Sequence, residues 1–276
     1  MSKRSALIRL GYHRPSSRRP CTSWEPLYRY FIITMQKFYE GLLAAAALKK
    51  GPPKILCVGK NYLKHAIEMG GTEVPKKPVV FLKPHSSILP AGSPIILPKN
   101  GNEIHHEIEL GFIIGKPGKF IAKENWREHV GGYFLALDLT DRTEQAICKK
   151  AGMPWSVAKG QDTFMPLSNF VEIEKVKEPH NLELELTING ETKQKTNTGE
   201  MHFKIPDIIE YTSTVFQLQE GDMFLTGTPE GVGKIVDGDL VEATLRQEGE
   251  LIAKISHIAS LDGSKPGEKE ESKSED

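Results

Sequence analysis

Leu182-Glu183-Leu184-Glu185-Leu186-Thr187-Ile188-Asn189-Gly190 decides how this chain is built. Apolar and polar side chains alternate from Leu182 to Ile188, the period of a strand with one face on a core and the other in water. Asn189-Gly190 then supplies the two residues that most readily take positive φ, so a type I′ turn sends the chain back from Glu191 as the second arm of a hairpin. Working outward, residues 54–59, 79–82 and 108–114 are further short β-prone runs, mostly bounded by Gly, Pro or Asn. Residues 204–216 are helical instead: Ile208, Ile209 and Thr212 fall on one side, and Pro206 stands near the start, where its missing N–H is tolerated. There is no internal repeat. The chain is therefore predicted to be α+β, predominantly β, with packed or rolled sheets and a few short helices.

The two ends have other compositions. Residues 1–34 carry Lys3, Arg4, Arg9, Arg14, Arg18, Arg19 and Arg29 against one acid, Glu25, with serines between them. That fits a cleavable mitochondrial presequence, and a basic tail with no address has the same composition. Residues 35–53 read as a short helix and linker, rich in Ala and Leu and stopped by Gly51-Pro52-Pro53. Residues 54–258 remain as the catalytic domain. Residues 259–276 hold too few apolar side chains to offset their ordering entropy and are predicted to be disordered.

Lys and Arg balance Asp and Glu at 36 each, so no overall field selects a nucleic acid or an anionic membrane. The cysteines, Cys21, Cys57 and Cys148, are odd in number and widely spaced, which favours free thiols in a reducing compartment. No run approaches the roughly 18 apolar residues needed to span a bilayer.

The chemistry starts at His105-His106-Glu107-Ile108-Glu109-Leu110. In a strand, residues two apart share a face, so Glu107 and Glu109 project together while Ile108 and Leu110 point the other way. Asp138 ends the apolar run Gly132-Tyr133-Phe134-Leu135-Ala136-Leu137, where an unpaired charge is costly. Three converging carboxylates suit a hard cation such as Mg²⁺, Mn²⁺ or Ca²⁺. Spacing alone also allows a solvated strand face for the glutamates and a turn cap for Asp138. Zinc is the weaker choice, because adjacent His105 and His106 face opposite sides of a strand.

Two further clusters stand out. His65 and Glu68, three apart in Gly59-Lys60-Asn61-Tyr62-Leu63-Lys64-His65-Ala66-Ile67-Glu68, share a face if helical, and the carboxylate can then orient the imidazole as a general base. An exposed surface pair has the same spacing. In Leu225-Thr226-Gly227-Thr228-Pro229-Glu230-Gly231-Val232-Gly233, small residues let backbone N–H groups and the Thr228 hydroxyl approach an anion, although an ordinary turn needs no more.

In this order the segments resemble the fumarylacetoacetate hydrolase family. Its pattern runs Gly-(Arg/Lys)-Asn-Tyr-x-x-His-x-x-Glu, His-x-Glu-x-Glu-(Leu), Asp-x-Thr-x-Arg-x-x-Gln, a (Gly/Ala)-Lys-x-x-Asp-x-Phe-like segment and Thr-Gly-Thr-Pro-x-Gly-Val-Gly. Residues 59–68, 105–110, 138–145, 158–164 and 226–233 stand in those places. The resemblance implies a mixed β-sandwich roll, commonly dimeric. It implies Glu107, Glu109 and Asp138 as ligands for Mg²⁺ or Mn²⁺, and His65 with Glu68 as a water-activating dyad. Lys159 becomes the active-site lysine that contacts the substrate; Arg142, Gln145 and Thr228 become substrate-binding residues. The implied substrates are small 2-oxo β-dicarbonyl acids, through acylpyruvate hydrolysis, oxaloacetate decarboxylation or oxaloacetate enol–keto tautomerisation. A related isomerase or hydratase on a longer 2-oxo dicarboxylate, or a catalytically silent metal-binding relative, is the alternative. Asp141, Gln161 and Lys234 depart from the residues often seen at their places, which bears on substrate preference.

Overall fold

The computed structural model describes residues 53–261. The presequence and the helix expected in residues 1–52 lie outside them, as does the tail from residue 262.

Alternation becomes architecture as the sequence predicts. Glu183–Ile188 and Glu191–Asn197 form the hairpin, turning on Asn189 (φ 52°) and Gly190 (φ 81°). They belong to a five-stranded sheet ordered Glu191–Asn197, Glu183–Ile188, Leu240–Gln247, Glu250–Ser260 and Ile95–Ile96. A mixed six-stranded sheet is ordered Val171–Glu172, Val130–Leu137, Ile108–Ile114, Met223–Leu225, Ile55–Gly59 and Val79–Lys83. Only the pair Ile55–Gly59 and Met223–Leu225 runs parallel within it.

Leu184, Leu186 and Leu245 of the first sheet and Leu110 and Phe112 of the second share one core. Burial of this apolar surface drives the two sheets together. Phe112 stacks on Phe224 of the neighbouring strand at 4.5 Å between centroids. The six-stranded sheet is covered on its other face too, by a smaller cluster including Ile113, Phe134 and Leu225. That is why residues 108–114 read as a nearly unbroken apolar run: every one of them is buried.

Two boundaries differ from the expectation. The strand Glu250–Ser260 continues past residue 258, because Ala259 and Ser260 pair with Ile95 and Ile96 and Ala259 is fully buried. The folded segment therefore reaches into the stretch expected to be a tail. The run 105–110 is not one strand: Ile104–His106 pairs with Gly233–Ile235 and Thr140–Asp141 in a small third sheet, and the chain crosses to the six-stranded sheet at Glu107. The helix over residues 204–216 forms as Ile205–Val215, burying Ile208, Ile209 and Thr212.

Candidate metal centre and active site

The site grows from strand register. Ile108 is paired with Leu137 and Glu109 with Ala136 in adjacent antiparallel strands, so Glu107 and Asp138 oppose each other one step beyond the end of the ladder. The Asp138 N–H donates to the Glu107 carbonyl at 2.8 Å. Opposed residues in an antiparallel pair face the same side, and Glu109 lies two residues from Glu107 on that side. The three carboxylates therefore converge, with oxygens within 4.8 Å of one another, and all three are buried.

Such crowding is held by cations. The Lys159 ammonium lies 2.8 Å from Glu107 Oε2 and 2.5 Å from Asp138 Oδ2. Arg142 donates to Glu107 Oε1 at 2.5 Å and to Gln145 Oε1 at 2.8 Å. Burial alone would raise the Glu107 carboxyl, but Lys159 and Arg142 outweigh it and hold the group well below the usual carboxylate range. Burial lowers the Lys159 proton affinity, and Asp138 and Glu107 more than reverse that. Glu109 goes the other way: burial first, then Asp138 and Glu107, push it well above the ordinary range, against the opposing charge of Lys159 and an N–H from Gly227.

The donor set fits a hard divalent cation. All three groups offer carboxylate oxygen, and Glu109 is left with two like-charged neighbours and one cation at a distance. Asp138 Oδ1 is buried and accepts no hydrogen bond. Lys83 stands 2.8 Å from it as an ion contact, while the Lys83 N–H groups go to the carbonyls of Leu139 at 3.2 Å, Phe164 at 2.9 Å and Lys159. An oxygen free in this way can take a metal bond.

Every predicted site residue except Glu68 lines one pocket. Glu68 stands behind His65, on the Leu63–Glu68 helix, with Oε2 3.1 Å from His65 Nδ1. Its other oxygen accepts from the Gly231 N–H at 3.0 Å, which ties the dyad to the glycine loop. In that loop Gly227 has φ 100°, and a Cβ there would meet Asn61 Cβ at 2.7 Å and the Val58 carbonyl at 3.0 Å. Only glycine lets the backbone N–H reach Glu109 Oε2. The Thr228 hydroxyl accepts from Gln194 Nε2 at 2.9 Å, leaving its own proton to donate. Neither histidine of the pair 105–106 joins the cluster; His106 Nδ1 instead faces Gln194 Oε1 at 2.9 Å.

Three functional supports escaped the sequence reading. Lys83 neutralises Asp138, and its only signal was a lone cation ending the apolar run 79–82. Asn61 clamps two loops, donating to the Thr226 and Phe203 carbonyls at 2.7 and 2.9 Å; it sat inside a quoted motif without a role. Gln194 lies in the polar arm of the hairpin, where period-two spacing from the buried Thr196 was the one hint. The departures Asp141 and Gln161 contact each other: Gln161 Nε2 donates to Asp141 Oδ2 at 3.2 Å, and Asp141 Oδ1 caps the Arg142–Ala151 helix through the Glu144 N–H.

Residues 54–256 match the sequence model of the fumarylacetoacetate (FAA) hydrolase C-terminal family. The chain belongs to that family. Among its relatives, the mitochondrial oxaloacetate tautomerase FAHD1 of Homo sapiens is 46% identical over 189 residues, 68% of this chain and 85% of that protein. The mitochondrial oxaloacetate decarboxylase of Dictyostelium discoideum is 46% identical over 190 residues, 68% of this chain and 87% of its own. The fumarylpyruvate hydrolase of Pseudomonas aeruginosa, crystallised with Mn²⁺ and pyruvate, superimposes with a TM-score of 0.71 at 32% identity, covering 76% of this chain and 91% of that one. The protein is an enzyme of the fumarylacetoacetate hydrolase family, and its α+β fold is the family's.

Proposed function

We propose that the protein is a Mg²⁺- or Mn²⁺-dependent enzyme of small 2-oxo β-dicarbonyl acids, hydrolysing acylpyruvates and decarboxylating or tautomerising oxaloacetate. The observation that carries this reading is the buried Glu107, Glu109 and Asp138 cluster at the floor of a pocket that also holds His65 and Lys159. Relatives named for oxaloacetate chemistry and a Mn²⁺–pyruvate complex of a neighbour support it.

Glu107, Glu109 and Asp138 would hold the divalent cation, which when bound would supply positive charge to stabilise an enolate. The remaining work falls to the chain's own side chains. Lys159 keeps Glu107 and Asp138 together and adds positive charge where enolate charge develops. Arg142, Gln145 and the free proton of Thr228 present donors to the substrate carboxylate. Glu68 holds the His65 proton on Nδ1, which leaves Nε2 to take a proton from water for attack on the distal carbonyl of an acylpyruvate. Loss of CO₂ from oxaloacetate needs no such water, so decarboxylation depends less on the dyad. The keto–enol interchange moves one proton between the enol oxygen and the carbon beside the keto group, and needs no attacking water.

The basic residues 1–34 and relatives named as mitochondrial support a mitochondrial location. A homodimer is part of the same reading. Among the described residues Val79–Lys83 is an edge strand, and its exposed Leu82 with Met153 and Val215 nearby is apolar surface suited to cover by a second copy. The test is direct: pyruvate released from acetylpyruvate and from oxaloacetate is measured with Mg²⁺ present, alongside the ultraviolet decay of enol oxaloacetate. Conversion of none of them contradicts the proposal. Turnover of only a longer 2-oxo dicarboxylate moves it to the isomerase or hydratase branch.

A further inference from the structure

We propose that Lys149 and Lys60 form a subsite for a second carboxylate at the mouth of the pocket, so that the enzyme prefers 2-oxo dicarboxylates to 2-oxo acids with a neutral tail. This rests on the functional reading above. Both lysines line the pocket beside Trp155. The other cations there are already matched, Lys159 by Glu107 and Asp138 and Arg142 by Glu107. Neither Lys149 nor Lys60 has a carboxylate partner among the described residues. The Lys149 ammonium stands over the Trp155 ring, 5.7 Å from its centroid.

Helical spacing fixes where Lys149 points. Arg142, Gln145 and Lys149 are at positions i, i+3 and i+7 of the Arg142–Ala151 helix, so they share the stripe that faces the pocket. A substrate whose keto-acid end meets Arg142 and Gln145 therefore has its far end toward Lys149. Lys60 reaches the same place by a different device. Its backbone is left-handed at φ 57°, a conformation that residues with a Cβ rarely adopt. The clamp of Asn61 on Thr226 and Phe203 over-determines that bend. Strain kept beside a pocket is a mark of function.

The charges crowd one another. Partial burial first, and then Arg142 and Lys60, lower the proton affinity of Lys149 against the opposing charge of Glu107, which is itself paired with Arg142 and Lys159, so like charge gathers at the mouth without a carboxylate partner of its own. An incoming second carboxylate relieves that repulsion. A neutral acyl tail does not. Two solvated rim lysines with no role would leave the choice between such substrates unaffected.

The experiment compares kcat/KM for oxaloacetate and for acetylpyruvate at saturating Mg²⁺ in the wild type, Lys149→Met and Lys149→Arg. Lys149 lies at the solvent-facing rim of the pocket, with its side chain only partly covered, so the variants are expected to fold. The expected result is a fall in the oxaloacetate-to-acetylpyruvate ratio of about tenfold in Lys149→Met, the scale of one charge-assisted hydrogen bond. It should come through the oxaloacetate KM with kcat little changed, and Lys149→Arg should recover it. An unchanged ratio, or equal loss on both substrates, overturns the subsite while leaving the functional reading intact. A wild-type enzyme that turns over neither substrate overturns the functional reading and the subsite with it.

Discussion

The Asp138 backbone N–H donates to the Glu107 carbonyl at 2.8 Å, and this one bond aligns the two strands that carry the carboxylate cluster. Because the register is fixed on either side by buried pairs such as Ile108 with Leu137, the cluster is as rigid as the core beneath it. A carboxylate cluster built on strands in this way needs no loop to close around a cation.

Asp138 is the shared counter-charge of two buried ammonium groups, Lys83 and Lys159. Asp138→Asn keeps the shape but leaves Lys83 without a carboxylate and Lys159 with Glu107 alone, and removing one partner of a buried pair costs about 3–5 kcal/mol. Urea unfolding should show that loss, whereas a midpoint close to the parent would contradict the pairing.

For the His65–Glu68 dyad, His65→Ala should lower acylpyruvate hydrolysis by about 10²–10⁴-fold, the range of general-base catalysis. Oxaloacetate decarboxylation in the same variant should fall much less. Parallel initial-rate assays on the two substrates check this, and equal losses would remove the water-activating role.

Asp141 caps the helix that bears Arg142 and Gln145, and it holds Gln161 near the helix that bears Lys159. Asp141→Ala should therefore cost about 0.5–2 kcal/mol of stability, as loss of an N-cap does. Thermal unfolding measures it. Gln161→Ala, which leaves the cap in place, should move the melting temperature less.

The acid side of the stability curve should depend on His257. Burial lowers its proton affinity below the ordinary value of 6.5, against the Ser93 carbonyl that accepts from Nδ1 at 2.7 Å. The folded chain thus favours the neutral ring, and that contribution is present above the ordinary value and lost as the pH falls below it. His257→Asn should flatten the decline of melting temperature between neutral and mildly acidic buffers. An identical slope in parent and variant would show that His257 takes no part.

How much of this was legible in the sequence depends on the kind of signal. The hairpin at Asn189-Gly190 and the buried strand Ile108–Ile114 could be read because period and turn chemistry are local. The convergence of Glu107, Glu109 and Asp138 could not be derived from spacing, since it depends on pairing between strands far apart in the chain. Family resemblance supplied it. Lys83 and Gln194 stayed hidden because their partners, Asp138 and Thr228, lie tens of residues away and single polar residues in strands carry no pattern. The crossover at Glu107 was missed because Ile104–His106 and Ile108–Ile114 are contiguous in sequence yet pair in different sheets.

The proposed function stands on Glu107, Glu109 and Asp138 as the site of a cation on which the chemistry depends. Calorimetric titration of the metal-stripped enzyme with Mn²⁺, set beside Glu109→Gln and followed by a pyruvate-release assay on each sample, tests it most directly. The expected result is one site in the parent, restoration of activity as that site fills, and affinity weakened on the order of a hundredfold with activity lost in the variant. Unchanged Mn²⁺ affinity in Glu109→Gln, or full activity in the metal-stripped parent, would contradict it.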